Sequence, residues 1–223
     1  MLKRALAATA LFLSSQVMAA PIYEFIDNNA NTGGAGDYLD SLSTTWDAGN
    51  QVLNWKTTFS TDAVDSFWLV INDGPNPKAT DTNELVIMYG DLNRGTVTSY
   101  VYNGANNANS YNTPGIYLQT DSLSVLGNSI EFTIDASAIN AATVPGDYRG
   151  LVAGPNSIGI WFHVATGSRF GYEGDELTGY RFQSQGWYDR ANLRMREVPE
   201  PGTVALMGLG LISLVGIRRR RYR

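Results

Sequence analysis

Cysteine is absent from the chain, and histidine occurs once, as His163. The first absence excludes disulfide staples, thiol catalysis and zinc–thiolate sites, so stability must come from an ordinary hydrophobic core. The second excludes any metal centre built from several imidazoles. Helix-forming periodicity is equally scarce. The one helical candidate, around Ala136–Ala142, is too short to serve as the crossover between parallel strands. No repeat period is visible, which argues against solenoids and propellers.

Long apolar runs are confined to the two ends. Lys3 and Arg4 precede an apolar stretch from Ala5 to Leu13, and Val17-Met18-Ala19 places small residues where a signal peptidase reads. Residues 1–19 therefore read as a secretory signal peptide that feeds the Sec export machinery. Cleavage is expected between Ala19 and Ala20, because a cut one residue later would leave Pro21 first. At the other end, Pro199 and Pro201 bar a helix from starting before Gly202 or Thr203. The apolar run Thr203–Ile217 then spans about 22 Å as a helix, short against a hydrocarbon core of about 30 Å. Arg218, Arg219, Arg220 and Arg221 follow it and should stay cytoplasmic.

Val198-Pro199-Glu200-Pro201-Gly202-Thr203, a short apolar helix and an Arg cluster resemble the PEP-CTERM sorting signal. The resemblance covers residues 198–223 only. It implies an exosortase as partner, cutting near Pro199-Glu200-Pro201, with the inner membrane engaged transiently through the helix at about 203–217. It also implies a bacterial producer of exopolysaccharide and biofilm matrix, with the protein ending at the cell surface or in that matrix.

Between these ends lie residues 20–197, enough for one domain with a sizeable core. The head takes Lys3 and Arg4 of the 16 basic residues and the tail takes five Arg, whereas only Glu200 of the 21 acidic residues lies in the tail. The body thus keeps nine basic against 20 acidic side chains, near −11. Such a surface repels phosphate backbones and anionic lipid, which disfavours nucleic acid as a partner.

Strand-like segments fill this body. Leu53, Trp55, Thr57 and Phe59 alternate onto one face, while Ser66–Ile71 and Glu84–Tyr89 are continuous runs expected to be buried on both faces. Asn72-Asp73-Gly74-Pro75-Asn76-Pro77 marks a sharp turn into a loop. Thr96–Tyr102 and Ile158–Val164 are further strands. Gly127-Asn128 closes a hairpin between Leu123–Leu126 and Ile130–Ile134. Tyr180–Phe182 and Asn192–Arg196 read as late edge strands, and residues 27–37 and 103–112 as loops. The fold class is all-β: a single antiparallel β-sandwich, for which a jelly roll is one arrangement.

No catalytic set emerges from this body. His163 lacks the nucleophile elbow of a serine hydrolase. Glu131 and Asp135 are the best carboxylate pair for a glycan hydrolase or lyase, the least favoured reading. They alternate with Phe132 and Ile134, so they should face solvent. Oxygen-rich loops at Asp27–Asn31, Gly33–Asp37 and Glu173–Glu176 suit Ca²⁺ in residue type, but Thr32 and Tyr38 stand where an EF-hand requires glycine and glutamate. No metal ligand is assigned, and no cofactor beyond that weak Ca²⁺ option. Tyr102, Tyr111, Trp187 and Tyr188 are the candidate rings for stacking on sugars. The resulting expectation is a non-enzymatic, exported structural or adhesive protein of the matrix. The alternative is a module that binds the producer's polysaccharide.

Overall fold

A computed structural model describes residues 20–75, 84–102, 115–151, 153–154 and 156–198. Fourteen strands and one short helix are described. Twelve strands form one antiparallel sheet in the order β14-β1-β3-β4-β9-β8-β7-β6-β5-β10-β13-β2. This sheet folds upon itself at β8 (Tyr117–Leu126). Thr96 of β7 (Thr96–Val101) pairs with Ser122, and the next residue, Leu123, pairs with Phe132 of β9 (Ser129–Asp135). Two layers result. The first runs from β14 (Arg196–Val198) through β1 (Ile22–Asp27), β3 (Leu39–Asp47), β4 (Val52–Phe59) and β9 to β8. The second continues through β7, β6 (Val86–Asp91), β5 (Ser66–Asn72), β10 (Ser157–Thr166) and β13 (Ser184–Arg194) to β2 (Gly33–Gly34).

The first layer follows the alternation rule. In β4, Leu53, Trp55, Thr57 and Phe59 point inward, while Asn54 and Lys56 are exposed. In β9, Ile130, Phe132 and Ile134 point inward, and Glu131, Thr133 and Asp135 outward. The central strands of the second layer are buried on both faces, as their unbroken apolar runs predict. Phe67, Leu69, Ile71, Val86, Met88, Ile160 and Phe162 meet the first layer in the main core. Trp55 and Phe132 from one side and Phe67 and Phe162 from the other form its aromatic centre, with ring centroids 5.2–6.3 Å apart.

The opposite face of the second layer carries Trp68, Val70, Ile87, Tyr89, Tyr100 and Trp161. A two-stranded hairpin, β11 (Arg169–Glu173) and β12 (Glu176–Arg181), covers it with Leu177 and Tyr180. A polar network pins this cover: the Ser66 hydroxyl bonds those of Ser168 and Tyr180, and the Tyr172 hydroxyl donates to Asp91 Oδ2 at 2.8 Å. The cover explains how the second layer carries apolar side chains on both of its faces.

Several elements depart from the sequence reading. Tyr180 belongs to the covering hairpin rather than to an edge of the main sheet. Asn192–Arg194 is the end of an 11-residue strand that lies between β10 and β2. The stretch 27–37, expected as loop, contributes Gly33 and Gly34 to that sheet edge. β3 escapes a hydrophobicity reading because serine, threonine and aspartate fill six of its nine positions. The helix α1 is confined to Ser137–Asn140. The Gly127-Asn128 turn joins β8 to β9 as expected, with Gly127 at φ 61°, a conformation glycine adopts at little cost.

Candidate functional site

Three places gather the chemistry of this body: the rim of the second layer, the outer face of the first layer, and the edge from which the C-terminal tail leaves. At the rim, register places Trp187, His163 and Trp68 side by side on β13, β10 and β5. Their rings form a stack, with His163 3.9 Å from Trp68 and 5.9 Å from Trp187, at interplanar angles of 22° and 27°. His163 Nε2 accepts a hydrogen bond from Trp161 Nε1 at 2.9 Å, so the ring hydrogen sits on Nδ1 and is donated to Gln185 Oε1 at 3.0 Å. Both nitrogens of the imidazole are thereby engaged, and neither is left for a serine hydroxyl. The indole of Trp187 lies across β2. A Cβ at Gly34 would approach its ring to 2.5 Å, and the φ of +102° there also calls for glycine.

Trp187 is the exposed ring among the described sugar-stacking candidates, at 39 %. Tyr102 and Tyr188, expected on the surface, are instead buried. Tyr102 packs edge-on to Trp161, and Tyr188 faces the main core with its hydroxyl donating to Asp27 Oδ2 at 2.9 Å. Half-buried strand positions suit tyrosine, and here the second layer is covered on both sides. Tyr111 lies outside the described residues.

The outer face of the first layer was not singled out by sequence. Cross-strand pairing sets Ser43, Lys56, Glu131 and Ser124 in one row and Thr45, Asn54 and Thr133 in the next. Asn54 Nδ2 donates to Thr45 Oγ1 at 3.1 Å, and Thr133 Oγ1 donates to Asn54 Oδ1 at 2.7 Å. Lys56 and Glu131 pair at 2.5 Å. These short polar side chains line an open groove of about 520 Å³. The only signal for it in the sequence is the polar half of the alternation in β4 and β9.

The carboxylates considered for catalysis have separate partners. Glu131 faces Lys56 in the groove, whereas Asp135 accepts from the hydroxyl and the backbone N–H of Ser137, which lowers its pKa. Asp121, at the groove's end, is raised by burial against the opposing bond from Gln119. The acidic loops are similarly engaged. Asp37 accepts from Thr32 N–H, Asp27 from Asn29 N–H, and Asp175 pairs with Arg94 at 2.7 Å. Among the described residues, no group of three or more His, Asp or Glu gathers as metal ligands would.

The third place is the sheet edge. β14 pairs antiparallel with β1, matching Ile22 with Val198, Tyr23 with Glu197 and Glu24 with Arg196. Arg196 grips Glu24 Oε2 through Nε at 2.8 Å and Nη2 at 2.5 Å. Near β1, Pro21 accepts a bond from Ala48 N–H, so the start of the described chain and the departure of the tail lie at the same end of the sandwich. Pro199, Glu200, Pro201, residues 203–217 and Arg218, Arg219, Arg220 and Arg221 lie outside the described residues, as does the head at 1–19. Among the described residues no helix is long and apolar enough to cross a membrane.

No curated protein and no solved structure matches the chain. One family model does, over residues 197–221, and its match begins inside β14. The segment that leaves the sheet edge is a PEP-CTERM protein-sorting motif, the signal of an exported protein processed by an exosortase.

Proposed function

We propose that this protein is a non-enzymatic structural or adhesive component of the bacterial envelope or exopolysaccharide matrix, delivered there through its sorting tail. The observation that carries the reading is the sorting motif at 197–221, continuous with a fully formed β-sandwich. The engagement of His163, Asp135 and the acidic loops in internal hydrogen bonds supports a structural rather than catalytic body. The test compares the full chain with one ending at Val198. Intact mass of the full chain from the cell surface should lack residues 1–19 and everything beyond the Pro199-Glu200-Pro201 region. The truncated chain should be lost to the medium. Equal distribution of the two would overturn the reading, and a surface form retaining Arg218–Arg221 would mean a plain membrane anchor.

The second reading, a module for the producer's polysaccharide, is favoured by one observation. Trp187 presents an exposed indole, whereas Trp46, Trp55, Trp68 and Trp161 are buried. Aromatic faces of this kind stack on the apolar faces of sugar rings. Iodide should therefore quench Trp187 selectively, and soluble fragments of the native polysaccharide should protect it. Trp187→Ala should abolish both effects. Quenching unchanged by any fragment would remove this reading.

A further inference from the structure

Glu197 and Val198 belong both to the sorting motif and to the folded sheet. We propose that β14 is a releasable clamp on the tail: its pairing with β1, held by Arg196 and Glu24, keeps the segment before Pro199-Glu200-Pro201 from the exosortase until the strand peels away. The proposal rests on the exosortase reading and adds a control to it. Glu24 and Arg196 become positioning residues for processing.

The geometry leaves no slack. With Val198 in the ladder, Pro199 alone separates Glu200 from the sheet, and one residue spans at most about 3.5 Å. A processing enzyme takes its substrate as an extended chain, recognised along its backbone and on alternate side chains. A chain laid against β1 has one backbone edge occupied and the bulk of the sandwich beside it. Processing with β14 docked would press the whole domain against the enzyme.

The clamp is built to open locally. β14 is three residues long and sits at the end of the sheet order, with no strand on its other side among the described residues. Its ion pair is largely in water on the arginine side, where Arg196 is 71 % exposed. Strands with this little burial occupy the low end of local stability. The point of bending is equally defined. Met195 is buried at 4 %, and its N–H donates to Asn156 O at 3.1 Å, which ties the chain to the second layer one residue before the strand starts. A crevice of about 850 Å³ lined by Glu24, Ile26, Arg194 and Met195 lies beside this joint. Peeling can thus run from Val198 back to Arg196 and stop, leaving the core untouched.

The absence of cysteine makes the test clean. In Glu24→Cys/Arg196→Cys the two thiols replace a directly opposed pair and are the only ones in the chain. Such cross-strand positions approach the separation a disulfide needs. The variant is expressed full-length in the native producer, and tail retention is followed by intact mass with and without a thiol reductant. The expected result is that the oxidised form keeps its tail and the reduced form loses it. Glu24→Ala, which only weakens the clamp, should be processed about two- to fivefold faster than wild type, the range that an exposed ion pair supports. An oxidised variant processed at the wild-type rate overturns the proposal, as does Glu24→Ala processed more slowly. A wild-type chain that keeps its tail throughout would instead sink the exosortase reading beneath it.

Discussion

Replacing Gly90 with valine is expected to leave no folded protein, and replacing it with alanine to cost about 3 kcal/mol or more, the upper end for overpacking a core. Gly90 lies in β6 directly opposite Phe67 of β5, both facing the main core. A Cβ there would fall 2.0, 2.2 and 2.5 Å from three ring atoms of Phe67. The ring cannot step aside. It is fully buried, lies 5.7 Å from Phe132 in a stack tilted by 13°, and meets Phe162 at 5.5 Å. The glycine is required for space and not for an unusual backbone angle, so a smaller partner should relieve the strain. Urea unfolding of Gly90→Ala and Gly90→Ala/Phe67→Leu measures this. The double variant should lose less than the two single losses combined, because the overlap they share is gone. Additive losses would mean that the glycine acts through something other than Phe67. Domains of this kind hold only about 5–15 kcal/mol in reserve, so valine, with two further methyl groups, exceeds what the fold can absorb.

The second large effect is alkaline unfolding. Burial raises the phenols of Tyr100 and Tyr148 to about 12, and burial also raises those of Tyr172, Tyr180 and Tyr188, with Asp91 and Asp27 adding to the effect at Tyr172 and Tyr188. The folded state thus binds these protons more tightly than the unfolded chain, whose tyrosines ionise near pH 10. Stability from this source is complete below pH 10 and is lost as pH rises from there toward 12 and beyond. Tyr100, Tyr180 and Tyr188 are essentially inaccessible. Each contributes about 1.4 kcal/mol per pH unit above pH 10, or roughly 4 kcal/mol together. Tyr148 and Tyr172 are half-buried and add less, because solvent screens them. Circular dichroism should collapse cooperatively between pH 11 and 12, roughly where that slope consumes a reserve of 5–15 kcal/mol. Phenolate absorbance should rise in the same step. Titration of all 12 tyrosines near pH 10 with the dichroism intact would refute it.

The parts of the fold legible in the sequence are those with local causes. The runs at 66–71 and 84–89 announce two-sided burial because polar residues are nearly missing from them, and β5 and β6 are buried throughout. Glu131 and Asp135 could be assigned to solvent from Phe132 and Ile134 alone, since side chains alternate along a strand. The illegible parts depend on distant partners. Nothing near Tyr102 or Tyr188 tells that a ring suited to a half-exposed strand is buried by a cover or by a core. β3 reads as polar because its Ser and Thr face water or bond across to β4, as Thr44 Oγ1 does to Asn54 O at 2.9 Å.

By itself the sequence determined the address and the class. A sorting signal is read as a linear chain, so the Pro199-Glu200-Pro201 motif, the apolar run and the Arg cluster carry their meaning in order alone, and the family match at 197–221 agrees. Strand alternation and turn chemistry likewise act over a few residues, and they sufficed for an all-β sandwich. Only the tertiary structure decided that Gly90 makes room for Phe67, that His163 is held between two indoles, and that Arg196 meets Glu24 across 172 positions of chain. Sheet pairing joins residues remote in sequence, and the register that brings them together belongs to the folded whole and to no segment of it.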